Sequence, residues 1–283
     1  RGGVTDMRKR RNQSGSRIER TPIAVGSPFL PAAFSGFRIA HISDLHNTQF
    51  GEKNRRLLEL LAEMKPDMIA VTGDLLDSRR TEPEIAVQFV SNAVKLAPVC
   101  YVPGNHESRI AVYEETEAAL VQAGAAVLRN RQILLKRGAA RISVLGLEDP
   151  GFIAETEDAE VRRKRVDFQL KDMIADSAGT YTILLSHRPE FFPVYGENRI
   201  DLSLCGHAHG GQIRLPGLGG IIAPNQGLFP KYTSGLYQRD RAAMIVSRGL
   251  GNSLFPFRLN NPPEVVEVRL ERRVPASGHA DDK

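Results

Sequence analysis

Short apolar runs recur along the chain, and each breaks into a turn that carries Asp, Asn or His. Residues 37–42, 67–72, 99–102, 181–185 and 201–205 are rich in Val, Ile, Leu and Tyr and have the length of strands. Between the first three lie segments with helical spacing. In 54–64, Leu57, Leu58, Leu60 and Leu61 share a face; in 82–95, Ile85, Phe89 and Val90 point inward. Further helices are predicted over 107–123 and 165–175. The β-α-β-α-β order argues for parallel strands joined by right-handed crossovers. The pattern then changes: 132–136 and 140–147 flank Gly138 like a hairpin, and 242–246 and 265–270 read as antiparallel strands. Pro189 stands where a helix can begin, which would fix the turn before it. The pattern predicts one α/β domain, with two mixed β-sheets packed as a sandwich and flanked by helices.

Composition bounds the class. With 283 residues, 41% of them hydrophobic and 25% charged, the chain can bury a substantial core. The net charge of +5 resides wholly in residues 1–20, where seven basic side chains face only Asp6 and Glu19; the rest of the chain sums to zero. These residues read as a basic, unstructured arm, 21–275 as the folded domain and 276–283 as a frayed tail. A solvated arm is the plain reading, and peripheral contact with an anionic membrane the sharper one. Nucleic acid is disfavoured by the neutral remainder and an aromatic content of only 6%. No run of about 18 apolar residues is present, and the basic cluster lacks the apolar stretch of a signal peptide. The protein is expected in the cytoplasm or peripheral to the membrane. Because the chain opens on Arg1, an upstream anchor or export signal has room to precede it. Cys100 and Cys205 sit in apolar runs and read as buried, reduced thiols.

The chemistry is concentrated at the ends of the apolar runs: Ser43-Asp44-Leu45-His46, Gly73-Asp74, Gly104-Asn105-His106-Glu107, Ser186-His187 and Gly206-His207-Ala208-His209. Five of the seven histidines fall in these blocks; only His41 and His279 lie outside. In open α/β sheets, functional groups collect beyond the carboxyl ends of strands, so blocks on successive strands converge on one rim. Asp44 and His46 are two residues apart, as are His207 and His209, so in extended backbone each pair projects to one side. Oxygen donors mixed with imidazoles and no thiolate suit divalent Mn, Fe or Zn, and two neighbouring ions could each take one imidazole of the second pair. Gly73, Gly104 and Gly206 precede these turns, where backbones must approach closely.

This combination of motifs resembles the calcineurin-like metallophosphoesterase superfamily over residues 37–271. Within it the chain is similar to the branch of bacterial YkuE- and YaeI-type phosphoesterases, to which a UDP-diacylglucosamine hydrolase is related. The resemblance implies a metallo-dependent phosphatase fold and a centre of two divalent metal ions. Asp44, His46, Asp74 and His209 would hold one ion; Asp74, Asn105, His187 and His207 would hold the other, with Asp74 bridging. His106 would be the general acid and not a ligand. The expected reaction is hydrolysis of a phosphate ester or pyrophosphate by a metal-bridging hydroxide. Two ions, two carboxylates and a hydroxide leave the centre with one positive charge, which suits an anionic ester. A lipid-linked nucleotide pyrophosphatase at a membrane surface, a non-catalytic protein-binding scaffold of the same fold and a nuclease are the alternatives.

Other residues keep two readings. Glu107 is either an outer support of the site or a helix cap, and Asp77 either a turn residue or an outer partner. His41 reads as a structural histidine. Arg248 and Arg258 are candidate substrate-binding groups for a second phosphate or headgroup, or else arginines of a structural loop. Residues 215–218, 221–223 and 228–230 form either an apolar lip for acyl chains or buried loop packing.

Overall fold

The computed structural model describes residues 17–153, 158–175, 179–215, 217–252 and 258–273. Residues 1–16 of the expected arm, the tail at 276–283 and residues 253–257 lie outside the described residues.

The first half of the chain forms β1 (Glu19–Ser27), β2 (Arg38–Ile42), α1 (Arg55–Met64), β3 (Met68–Thr72), α2 (Pro83–Ala93), β4 (Val99–Val102), α3 (Tyr113–Gln122) and β5 (Ala126–Val127). The second half forms β6 (Arg131–Arg137), β7 (Ala140–Gly146), α4 (Ala159–Ala175), β8 (Tyr181–Leu185), α5 (Phe192–Glu197) and β9 (Leu202–Cys205). Two small ribbons follow, β10 (Arg214–Leu215) with β11 (Gly219–Gly220), and β12 (Ile222–Ala223) with β13 (Gly227–Leu228). The chain closes with β14 (Gly235–Arg239), β15 (Ala242–Val246) and β16 (Glu264–Arg272).

Two six-stranded mixed sheets result, ordered β1-β16-β2-β3-β4-β5 and β14-β15-β9-β8-β7-β6. Alternate residues of each strand face opposite cores. Ala70, Cys100 and Val268 of the first sheet meet Val144, Ile183 and Leu204 of the second in a core between the sheets. Ile69, Val71 and Tyr101 turn outward onto Leu57, Leu61, Phe89 and Leu120 of the helices. Leu145, Leu184 and Met244 do the same on the other side with Val166, Leu170 and Tyr195. A buried leucine such as Leu57 holds its helix to the sheet, and truncation to Ala there costs about 2–5 kcal/mol. Cys100 and Cys205 are both buried and free.

Several expectations need correction. Glu19 and Arg20 are not part of an unstructured arm. They open β1, which pairs in parallel with β16 from Glu19 opposite Glu264 to Ser27 opposite Arg272. Arg20 grips Glu267 with two hydrogen bonds at 2.7 and 2.9 Å. An edge strand with one wet face carries too few apolar residues to announce itself. β15 is antiparallel to β14 as expected but parallel to β9, and β16 is antiparallel to β2 but parallel to β1. The helix expected from 107 starts at Tyr113, because Glu107–Arg109 form a single 3-10 turn and Ile110 is extended. The helix expected from 165 begins earlier, at Ala159.

Candidate metal centre

β2, β3 and β4 are mutually parallel in one sheet, and β8 and β9 are parallel in the other. Their carboxyl ends deliver all five blocks to one rim. The local backbone is not the extended one expected from the spacing. Asp44, His46, Asp74, His207 and His209 all have positive φ, between 46° and 66°. Each such residue costs of order 1–3 kcal/mol, so the surroundings must hold it. Here interloop hydrogen bonds do so: Asp44 N–H to the Gly73 carbonyl, His46 N–H to that of Asp74 and His207 N–H to the Asp44 carboxylate. The side chains of each pair therefore converge through tight turns and not along a strand.

Close approach explains the glycines. A Cβ on Gly73 would lie 2.7 Å from both the Gly104 Cα and the His187 Nδ1, and one on Gly206 would lie 2.5 Å from Asp44 Oδ2. Glu107 ties the loops together from beneath. Its buried carboxylate accepts from the N–H groups of Asp74 (2.9 Å), Leu76 (3.0 Å) and Gly104 (2.8 Å). This is the outer-support role rather than a helix cap.

The donor atoms form two adjoining groups. Asp44, His46 and His209 converge, with His209 Nε2 3.3 Å from both Asp44 Oδ1 and His46 Nε2. Asp74, His187 and His207 form the second group, with His187 Nε2 3.3 Å from Asp74 Oδ2 and 3.1 Å from both His207 Nδ1 and Asn105 Oδ1. Asp74 Oδ2 also lies 3.6 Å from His46 Nε2, so one carboxylate touches both groups. His106 joins His46 and Asp74 in a third, overlapping set.

Hydrogen bonds on the far ring nitrogens fix what His187 and His207 present. His187 Nδ1 donates to the Thr72 carbonyl at 2.7 Å, which directs Nε2 to the donors. His207 Nε2 lies 3.2 Å from Asn225 Oδ1, leaving Nδ1 for the cluster. A single Nε2 proton on His187 cannot serve three acceptors, whereas a cation in their midst satisfies all of them. Imidazoles and oxygens without thiolate make the donor set of a divalent metal centre.

Electrostatics agree. Burial opposes the Asp74 anion, yet His187 and His106 hold its carboxyl well below the usual range. Burial likewise opposes the His187 cation, but Asp74 prevails and raises it to about 10. Burial pushes Asp44 up to about 6 and His46 down to about 3, and holds His207 and His209 well below the ordinary imidazole value. With no cation bound, Asp74 favours the charged form of the His187 ring.

His106 stands at the edge of a cavity of ≈ 330 Å³ that also touches Asp74, Asn105, His207 and His209. Its Nδ1 accepts the Ser78 N–H at 3.1 Å and lies 3.7 Å from Asp77 Oδ1. Asp77 is itself bound by Arg79. His41 is buried, with Nε2 2.8 Å from Thr72 Oγ1, and burial pushes its pKa down to about 3.

Arg248 and Arg258 do not line this cavity. Arg248 is paired with Glu264 and Glu19, and the Arg258 guanidinium donates to Asn252 Oδ1 and to the carbonyls of Arg248 and Gly251. The arginines that line it are Arg109, Arg162 and Arg188. Sequence reasoning missed these, along with Asn225 and Ser78; the one signal in reach was Arg188, next to His187. Of the expected lip, Leu218 (67%), Leu228 (69%) and Phe229 (68%) are exposed, while Ala223 is buried. Buried loop packing therefore does not describe it.

Comparisons with known proteins agree with this geometry. Residues 37–211 match the calcineurin-like phosphoesterase family. YkuE of Bacillus subtilis, an uncharacterized metallophosphoesterase, is 31% identical over 264 residues, covering 90% of this chain and 86% of that protein. The phosphodiesterase YaeI of Escherichia coli is 28% identical, covering 83% of this chain and 82% of its own. The crystal structure of TT1561 from Thermus thermophilus shares the fold, with a TM-score of 0.53 at 15% identity over 76% of this chain and 90% of that one. With the match spanning every rim loop from Asp44 to His209, the chain belongs to the calcineurin-like phosphoesterase family and is a metallophosphoesterase, a hydrolase of phosphoric esters.

Proposed function

We propose that the chain hydrolyses a phosphodiester or pyrophosphate at a centre of two divalent ions. Asp44, His46, Asp74 and His209 would hold one ion; Asp74, Asn105, His187 and His207 would hold the other. The observation that carries this reading is the position of Asp74 Oδ2, 3.6 Å from His46 Nε2 and 3.3 Å from His187 Nε2. Mn, Fe and Zn all accept these ligands. When bound, the ions supply Lewis acidity and a water acidic enough to be a nucleophile near neutral pH.

The chain's own groups do the rest. The Ser78 N–H donates to His106 Nδ1 and keeps the ring proton on Nε2, the nitrogen left for the substrate. Burial outweighs Asp74 and Asp77 and opposes a charge on His106, so the neutral ring would present its Nε2–H to a leaving oxygen. Asn225 and Thr72 hold the His207 and His187 rings in place. Arg258 and Arg248 act from behind, holding the loop whose Gly251 N–H meets the Asp44 carbonyl.

A scaffold role is disfavoured because a buried convergence of Asp and His side chains serves no purpose in a surface that only binds protein. An amphiphilic, lipid-linked substrate is the second reading. The exposed Leu228 and Phe229 favour it, since Leu228 belongs to the ribbon whose turn brings Asn225 to the cavity. Among the described residues no helix is long and apolar enough to cross a membrane. The test is turnover of bis(p-nitrophenyl) phosphate with Mn by the intact chain and by Asp74→Asn. Activity in the first and its loss in the second are expected; equal activity contradicts the proposal.

A further inference from the structure

The wall of the cavity carries more positive charge than one reacting phosphate uses. The metal ligands Asp74, Asn105, His207 and His209 form its floor, where a scissile phosphoryl group would be bound. Among the described residues, Arg109, Arg162 and Arg188 also line this space. Asp149 accepts from Arg188 at 2.6 and 2.9 Å, and Glu190 lies 3.7 Å away. Arg109 arrives from the turn after β4, in the first sheet. Arg162 arrives from α4, which packs on the second. These two come from separate layers of the sandwich, and both line the cavity. Among the described residues no acceptor reaches the buried Nε of Arg162.

A buried guanidinium N–H without an acceptor marks a place where an anion completes the hydrogen bonding. Guanidinium groups match phosphate oxygens in pairs, and two from opposite sides suit a dianionic phosphate better than a singly charged carboxylate. At ≈ 330 Å³ the cavity holds more than one phosphoryl group. We propose that Arg162, with Arg109, binds a second phosphate of the substrate, beyond the one being hydrolysed, and so selects substrates with two adjacent phosphates. This rests on the hydrolase reading of the same site and adds what the substrate must carry.

Binding and turnover separate the two ideas. AMP and α,β-methylene-ADP share a nucleoside and differ by one phosphoryl group. On the Mn-loaded intact chain, Arg162→Gln and Arg109→Gln should each weaken α,β-methylene-ADP at least tenfold and AMP less than twofold by calorimetry. Arg162→Lys, which restores the charge but not the fork, should recover part of the loss. For a diphosphate ester the same variants should raise KM while kcat holds. Equal loss for both ligands, or no loss for either, overturns the proposal. Selective binding loss in a chain that hydrolyses neither the diphosphate ester nor bis(p-nitrophenyl) phosphate would sink the hydrolase reading and leave the second-phosphate site standing.

Discussion

His187 and Asp74 approach to 3.3 Å, Nε2 to Oδ2, with both side chains buried. Asp74 raises His187 to about 10 against the cost of burial, from an unfolded value of about 6.5. The ring is therefore charged at neutral pH when no ion is bound. Metal binding at pH 8 should release about one proton per chain, read as a dependence of calorimetric heat on buffer ionisation enthalpy, and apparent affinity should rise with pH. The sign for stability follows from a raised cationic pKa: the contribution is whole below 6.5 and lost as pH climbs towards 10. The thermal midpoint of the metal-free protein should fall over that window. A midpoint flat across it, with no proton released, contradicts the assignment.

Gly104 has an ordinary backbone conformation, so its constraint is purely one of space. A Cβ there would press on Asp74 Oδ1 and sit 2.7 Å from the Asp74 nitrogen. Gly104→Ala should cost about 1–3 kcal/mol by overpacking and should reduce bound metal by displacing the shared carboxylate. Metal analysis together with a urea melt checks both. Normal metal content in the variant would mean that Asp74 tolerates the shift.

Glu107 accepts three backbone N–H groups from two ligand loops. In Glu107→Gln, one acceptor oxygen becomes an NH₂ group facing a buried N–H. The expected loss is about 1–3 kcal/mol of stability, with weaker metal binding, since the loops at Asp74 and Gly104 separate. An unchanged melting midpoint would show that the loops hold without it.

His106→Asn should keep its metal and lose rate. Removing a general acid costs about 10²- to 10⁴-fold, and the loss should be greatest for a poor leaving group such as a methyl ester. A fall in metal content to match the fall in rate would instead make His106 a ligand, as its place beside His46 and Asp74 allows.

The Asp, Asn and His residues of the rim were legible because the chemistry is local: each lies within four residues of an apolar run whose length gives the strand away. The sandwich was legible for the same reason, since fully buried strands such as β3 and β8 are dominated by apolar side chains. Conformation was not. Asp44 and His46 look like alternating strand residues, but the loops need left-handed backbone, and only the facing carbonyls of Gly73 and Asp74 reveal that. Glu107 reads as a helix start because its N–H partners lie up to 33 residues away. Arg162 and Asn225 are single polar residues without a motif, brought to the cavity by the packing of α4 and by a two-strand ribbon. Arg248 and Arg258 misled for the converse reason: a Gly-rich loop invites a ligand, and here the guanidiniums serve the loop itself.

A centre in which Asp74 would serve both ions is tested most directly by titrating chelator-treated protein with Mn(II). Bis(p-nitrophenyl) phosphate hydrolysis and bound metal are followed together. Activity that rises to a plateau at two ions per chain, and that Asp74→Asn abolishes along with metal binding, is the expected result. Full activity in the chelated protein, or a plateau at one ion, would contradict it.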